Sequence, residues 1–203
     1  MDRQGFWDDK YAASERIWSG EPNRALVGQV AALAPGTALD LGCGEGADAV
    51  WLARQGWTVT GVDISPIALG RAARHAEEAG VKVDLQRHDL TRTFPQGQFD
   101  LVSAQFLHDY GDFPRTEILR RAAGAVAPGG VLLIESHQSH GPHPHPDDGE
   151  VRFLSPGELV AELALAPGEW DLEVSEEHDR IQQGPDGTPT HRTDSTLRLT
   201  RRA

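Results

Sequence analysis

Residues 38–47 read Ala38-Leu39-Asp40-Leu41-Gly42-Cys43-Gly44-Glu45-Gly46-Ala47. The apolar run from Thr37 to Leu41, closed by glycines, reads as a strand. Ala49, Val50, Leu52 and Ala53 recur at helical spacing between Ala47 and Gln55, and Gly56 is a stop signal, so a helix follows. A strand therefore enters a glycine-rich turn and a helix leaves it. Glycine suits such a turn because positive φ is free there and because a Cβ would keep a ligand off the backbone. By itself, a loop with Gly42, Gly44 and Ala47 also fits a nicotinamide-dinucleotide fingerprint.

Outward from this turn, apolar runs alternate with helical patterns as far as Ser136. Strands are predicted at 57–62, 81–88, 99–104 and 131–135. Helices are predicted from Pro66 to Gly80 and from Pro114 to just before Pro128-Gly129-Gly130, with a proline at each start. Alternation of this kind gives a doubly wound, mostly parallel sheet with helices on both faces, a Rossmann-like α/β fold. The pattern then changes. A helix is predicted from Ser155 to Leu163, followed by strand-like runs at 170–183 and 190–201 around the turn Gly184-Pro185-Asp186-Gly187. These two runs form a C-terminal antiparallel β-hairpin on the sheet. A single domain results: a helical lead-in over 1–36, a ligand-binding core over 37–136, and a loop, helix and hairpin over 137–203.

Composition narrows the function. The 203 residues suit one domain, and 38% hydrophobic with 25% charged content supplies a packed core. A net charge of −12 repels phosphate backbones, so no nucleic-acid partner is expected. One cysteine, Cys43, excludes an internal disulfide and a cysteine-cluster metal site. No secretory pattern opens the sequence and no run of about 18 apolar residues occurs, so no membrane partner is expected and a cytoplasmic protein is inferred.

Two acids sharpen the glycine turn. Asp63 follows Gly44 by 19 residues, where a carboxylate can accept from ribose hydroxyls. Asp40 precedes Gly42 by two. A carboxylate there repels a pyrophosphate and welcomes a cationic ligand, unless it merely ties the turn's own amides.

Asp40-Leu41-Gly42-Cys43-Gly44-Glu45-Gly46 resembles the first motif of the class I S-adenosylmethionine-dependent methyltransferases. Val62-Asp63-Ile64-Ser65, His88-Asp89-Leu90, Phe99-Asp100-Leu101-Val102 and Pro128-Gly129-Gly130 resemble that family's later landmarks, in its order. Five ordered motifs are more specific than one glycine loop. More loosely, residues 6–11 (FWDDKY), 18–23 (WSGEPN) and the terminal hairpin resemble the small bacterial tellurite-resistance-type branch. Arg192-Thr193-Asp194 departs from the small residues usual in that hairpin.

The resemblance implies S-adenosylmethionine as cofactor, a small-molecule methyl acceptor and the seven-stranded methyltransferase fold. It implies that Gly42, Gly44 and Gly46 lie against the methionine part of the cofactor. Asp63 would take the ribose hydroxyls and Ile64 would pack on the adenine, unless Ile64 is plain core. Asp89 would accept from the adenine amino group, unless it ties a turn, and the Leu90 backbone would meet the ring. Gln105 would offer its carbonyl to the ammonium, which Asp40 also suits. A sulfonium-bound methyl is electrophilic unaided, so no protein nucleophile is needed and Cys43 reads as a small residue filling the loop.

A base helps where the acceptor carries a proton. His108 and Tyr110 after the strand 99–104, His137 after 131–135, and His191 on the hairpin qualify by position; His108, His191 and Tyr110 are the predicted catalytic set. Tyr11 and Trp18 of the lead-in are predicted to close over the cofactor, where a sulfonium can meet aromatic faces. Residues 136–148 (SHQSHGPHPHPDD) could bind zinc or nickel through His137, His140, His143 and His145, or form a proline-stiffened surface loop. The second is taken, and no metal site is assigned. Two rival functions stay open: a nicotinamide-dependent oxidoreductase, and a cofactor-binding sensor or scaffold without an acceptor.

Overall fold

The computed structural model describes residues 2–109, 112–139, 152–183 and 189–203. Seven strands form one sheet in the order β3-β2-β1-β4-β5-β7-β6. They are β1 (Thr37–Leu41), β2 (Thr58–Asp63), β3 (Val83–Arg87), β4 (Phe99–Gln105), β5 (Val126–His137), β6 (Trp170–Gln183) and β7 (Pro189–Arg201). The first five run parallel, and β7 is antiparallel to both β5 and β6. The predicted α/β fold and terminal hairpin are what the sheet contains. Chain order reverses between β1 and β4, so a crevice opens beyond the carboxyl ends of those strands.

Among the described residues, six helices flank the sheet: α1 (Arg3–Ala12), α2 (Arg24–Val30), α3 (Ala47–Arg54), α4 (Pro66–Glu78), α5 (Arg115–Gly124) and α6 (Pro156–Leu163). Local chemistry sets their starts. Gly46 is left-handed (φ 85°) immediately before α3. The Ser65 hydroxyl accepts the Ala68 N–H ahead of Pro66 in α4. Ser155 and Glu158 cap each other at α6. Each face of the sheet buries its own core. Leu26, Leu52, Leu101 and Leu133 lie on one side; Leu39, Val102, Ile118, Leu132 and Leu159 lie on the other.

The helical lead-in comprises α1 and α2, joined by irregular chain from Ala13 to Asn23. One reading changes. β5 starts at Val126, not Val131, and so includes Pro128-Gly129-Gly130. Its pairing with β4 shifts register between Phe99 and Leu101, which lets the strand absorb the proline and glycines. Gly130 has no room for a side chain, since a Cβ would lie 2.9 Å from the Ala127 carbonyl oxygen and 3.0 Å from those of Phe99 and Asp100. Asp100 is structural: it accepts from the Thr37 N–H at 2.7 Å and stitches β4 to β1.

Candidate active site

The glycine turn leaves β1 with Gly42, Gly44 and Gly46 all at positive φ. Their reasons differ. A Cβ on Gly46 would come 2.7 Å from Ala72 Cβ, so this glycine lets α3 and α4 approach. A Cβ on Gly44 would come 3.0 Å from the Tyr11 hydroxyl and 3.4 Å from Trp18 Nε1, so the lead-in sits directly over this turn. Asp63, at the end of β2, holds the turn in place: one carboxylate oxygen accepts the Gly44 N–H and the other the Ser65 N–H, both at 2.9 Å. Burial raises its pKa to about 6 against those hydrogen bonds.

A cavity of about 930 Å³ opens above the turn and runs to the ends of β4 and β5. Asp40, Gly42, Gly44, Asp63, Ile64, Asp89, Leu90, Gln105, His108, Tyr11 and Trp18 all line it. Asp40 is 2% exposed, and its Oδ2 is buried without a hydrogen-bond partner. It does not tie the turn. Burial, then Asp48 and Asp63, push its pKa well above the usual carboxylate range, so the carboxyl keeps a proton more readily than a free one. Gln105 Oε1 is likewise buried and unpartnered, while its amide nitrogen donates to Ser103. Asp89 Oδ1 accepts from the Thr91 N–H and hydroxyl, so this side chain does tie its turn while lining the cavity. Cys43 fills the space beside Gly61, with Sγ 3.2 Å from where a Cβ there would stand, and burial raises its thiol. It is packing, not a nucleophile.

Three residues that the sequence did not single out fasten the lead-in. The Glu45 carboxylate accepts the Trp18 N–H at 3.1 Å and the Ile17 N–H at 3.3 Å. Arg71 of α4, 8% exposed, donates to Glu45 at 2.7 Å, to the Tyr11 carbonyl at 2.7 Å and to the Ser14 carbonyl at 2.6 Å. Asp48 accepts from both the backbone and the side chain of Asn23 at 2.7 Å. Tyr11 is buried and its hydroxyl accepts from Trp18 Nε1 at 3.2 Å; Trp18 is 47% exposed. Burial, the largest influence, pushes the Tyr11 hydroxyl far above its usual pKa, so it stays neutral.

At the far end, Phe106 follows β4 with φ 52° and stacks on His137 at 4.4 Å. His108 also stacks on His137, at 5.2 Å, and His108 Nε2 accepts the His137 N–H at 3.2 Å. Burial, ahead of Arg115 and His137, drives the His108 pKa well below 6.5. His191 is exposed and does not line the cavity; Arg192 does. Side chains alternate along a strand, and β7 turns Arg192 and Asp194 inward, which sends His191 to the other face. Tyr110, His140, His143 and His145 lie outside the described residues. Among the described residues no group of three His, Cys, Asp or Glu could hold a metal ion. None of the helices there is long and apolar enough to cross a membrane.

Residues 38–130 match the methyltransferase domain family. The ubiquinone biosynthesis O-methyltransferase of Methylobacterium sp. (strain 4-46) is 41% identical over 102 residues, covering 48% of this chain and 39% of that protein. The chain spans about half the length of the curated relatives it matches. Among solved structures, a protein studied for the conversion of a disulfide bond into a thioacetal group during echinomycin biosynthesis is similar over 98% of this chain and 91% of its own. The identity is 28% and the TM-score 0.74. TehB from Haemophilus influenzae shares the fold, with 18% identity, a TM-score of 0.69, and coverage of 99% of this chain and 67% of its own. The strand order 3-2-1-4-5-7-6 and the motif set around one crevice give the chain the seven-stranded methyltransferase fold, and its residues 38–130 are similar to the methyltransferase domain family.

Proposed function

We propose that the protein transfers a methyl group from S-adenosylmethionine to a small-molecule acceptor. The observation that carries this reading is the buried, unpartnered Asp40 Oδ2 beside a glycine turn whose Gly42 and Gly44 line the cavity. A buried carboxylate without a partner is costly, and a ligand ammonium or sulfonium nearby relieves that cost. A pyrophosphate does not, which disfavours a nicotinamide dinucleotide. When bound, the cofactor supplies a methyl group made electrophilic by its sulfonium.

The chain supplies placement. Gly42 and Gly44 give backbone approach, Asp40 and Gln105 offer acceptors to the cation, and Asp63 has lone pairs left for ribose hydroxyls. Ile64, Asp89 and Leu90 form the adenine end. Tyr11 and Trp18, fastened through Glu45 and Arg71, cover the turn and exclude water. The cavity continues past Gln105 to His108, His137 and Phe106, which is where an acceptor fits. Holding the acceptor in line and dry accounts for much of the rate in a reaction of this kind. The relatives named for ubiquinone biosynthesis support a small-molecule acceptor.

Calorimetry with S-adenosylhomocysteine tests the cofactor, and methyl-tritiated S-adenosylmethionine with pooled metabolite extract tests the transfer. Stoichiometric binding and label in a small product are expected. Binding of NADH in place of S-adenosylhomocysteine refutes the reading. Tight cofactor binding with no label transferred to any extract favours the sensor instead.

A further inference from the structure

His137 ends β5 and lines the cavity. Its Nδ1 lies 2.8 Å from Asp194 Oδ1, its direct partner across the β5–β7 pair. Asp194 is fully buried and also receives the Arg180 guanidinium, with Arg192 3.9 Å away. Burial alone would push this carboxyl up, but His137 and Arg180 outweigh it and hold its pKa below the usual range. An ionised carboxylate only accepts hydrogen bonds, so His137 Nδ1 carries the ring proton and Nε2 carries the lone pair. Nε2 has no partner among the described residues, and the side chain is 19% exposed. Phe106 at 4.4 Å and His108 at 5.2 Å stack on the ring and hold its plane. Burial, chief among the influences on it, keeps the imidazole neutral near pH 7.

The other described histidines near this cavity are engaged by neighbours. His108 Nε2 accepts the His137 N–H, so its lone pair is spent. His88 contacts Thr93 through Nδ1 and Gln86 through Nε2. His178, on β6, is turned to Glu135 and Thr196 in the next rung of the hairpin.

We propose that His137, oriented by Asp194, is the general base of the reaction, for acceptors whose nucleophilic O–H, N–H or S–H enters the cavity un-ionised. This rests on the methyl-transfer reading above. The acceptor's bond to hydrogen breaks, and its electron pair forms the new bond to the methyl carbon. The carbon–sulfur bond breaks with its pair going to sulfur, which becomes a neutral thioether. The proton passes to His137 Nε2, where Asp194 balances the imidazolium charge, and then to solvent. An acceptor that arrives already ionised needs none of this, so the class is weak acids such as phenols and aliphatic thiols.

The first test needs no acceptor. Diethyl pyrocarbonate acylates unprotonated, accessible imidazole nitrogens, and peptide mass spectrometry locates the product. His137 is expected to react at pH 7, and to react at least tenfold more slowly in Asp194→Asn, where the amide can donate to Nδ1 and move the ring proton to Nε2. Asp194→Asn is interpreted only if its thermal unfolding shows a folded protein; the parent's own labelling decides the matter without it. If His137 stays unlabelled while exposed His191 is labelled, the proposal falls. The second test uses the labelled product's acceptor and His137→Gln, whose amide still reaches Asp194. Turnover is expected to fall about 10²–10⁴-fold, as for loss of a general base. The acidic limb of the pH–rate profile should vanish, and affinity for S-adenosylhomocysteine should stay within about threefold. Unchanged turnover overturns the proposal. Failure of the parent to bind S-adenosylhomocysteine overturns the methyl-transfer reading instead, while the labelling of His137 still supports or refutes the dyad by itself.

Discussion

Arg71→Met should unfasten the lead-in without unfolding the domain. Arg71 joins α4 to two points of the cover, the Tyr11 and Ser14 carbonyls, and to the Glu45 carboxylate, which itself holds the Ile17 and Trp18 amides. The side chains of Arg71 and Glu45 are 10% and 4% exposed, so this ion pair is buried. Removing one partner of a buried pair costs about 3–5 kcal/mol. Here the loss is limited, because residues 13–23 can lift and return Glu45 to water. The lower figure, about 3 kcal/mol, is therefore expected, or about two decades in the opening equilibrium of this segment. Methionine keeps the apolar stem packed against Tyr11. Hydrogen exchange reads the outcome directly. The Ile17 and Trp18 amides, which donate to Glu45, should exchange about 100-fold faster, while amides of β1 and β4 keep their protection. Affinity for S-adenosylhomocysteine should fall as well. Unchanged exchange at Ile17 and Trp18, with uniform loss of protection elsewhere, would show Arg71 to be a general core contact and refute the fastening argument.

Asp63→Ala should weaken S-adenosylhomocysteine binding by about 2–3 kcal/mol, the worth of charge-assisted bonds to a ligand together with looser support of Gly44; calorimetry at unchanged affinity would remove Asp63 from the site. Glu135, buried between His178 and Thr196, has its carboxyl raised to about 7, chiefly by burial. The fold therefore holds a proton that the unfolded chain releases near pH 4.3, and the parent loses stability as pH rises from about 4.5 to 7. Glu135→Gln lacks this loss, so its melting temperature should gain on the parent's across that window; a difference that does not vary with pH refutes the shift. Gly46→Ala meets Ala72 and a left-handed φ, and should cost about 3 kcal/mol in urea unfolding. Gly80→Ala shares the positive φ but faces open space, so about 1 kcal/mol is expected, and equal losses would mean that the close approach of α3 and α4 is not what Gly46 provides.

What the sequence disclosed is what is local. Strand–turn–helix around Gly42, the prolines that open α4 and α6, and the strands β6 and β7 are each settled within a few residues, so periodicity and local chemistry revealed them. The family motifs then placed Asp40 and Asp63 at the ends of adjacent strands. The fastening residues were invisible for a different reason. Glu45 and Arg71 lie 26 positions apart, and only the packing of α4 against the glycine turn makes one the partner of the other. Asp194 was seen as a departure from a pattern, because its partner His137 is 57 positions away on another strand. The exposure of His191 turns on parity: a strand's facing cannot be assigned until its register with β5 is known, and one residue decides which side chain points inward. Pro128-Gly129-Gly130 misplaced the start of β5 because a strand can carry such residues only where its pairing is already irregular.

The strand order has a consequence for how the sheet is assembled. β7 follows β6 in sequence yet lies between β5 and β6, so β6 cannot join the sheet ahead of it. Until residues 189–201 are available, β5 presents an open edge that runs through Val131, Leu132, Leu133 and Ile134, with its N–H and carbonyl groups unpaired on that side. An apolar edge of this kind is a template for other extended chains. During synthesis the glycine turn and the first five strands can form while this edge stands bare, and the hairpin that completes the dyad is the same piece that seals it. Losses from the hairpin are therefore expected to show first as insoluble protein, before any change in catalysis can be measured.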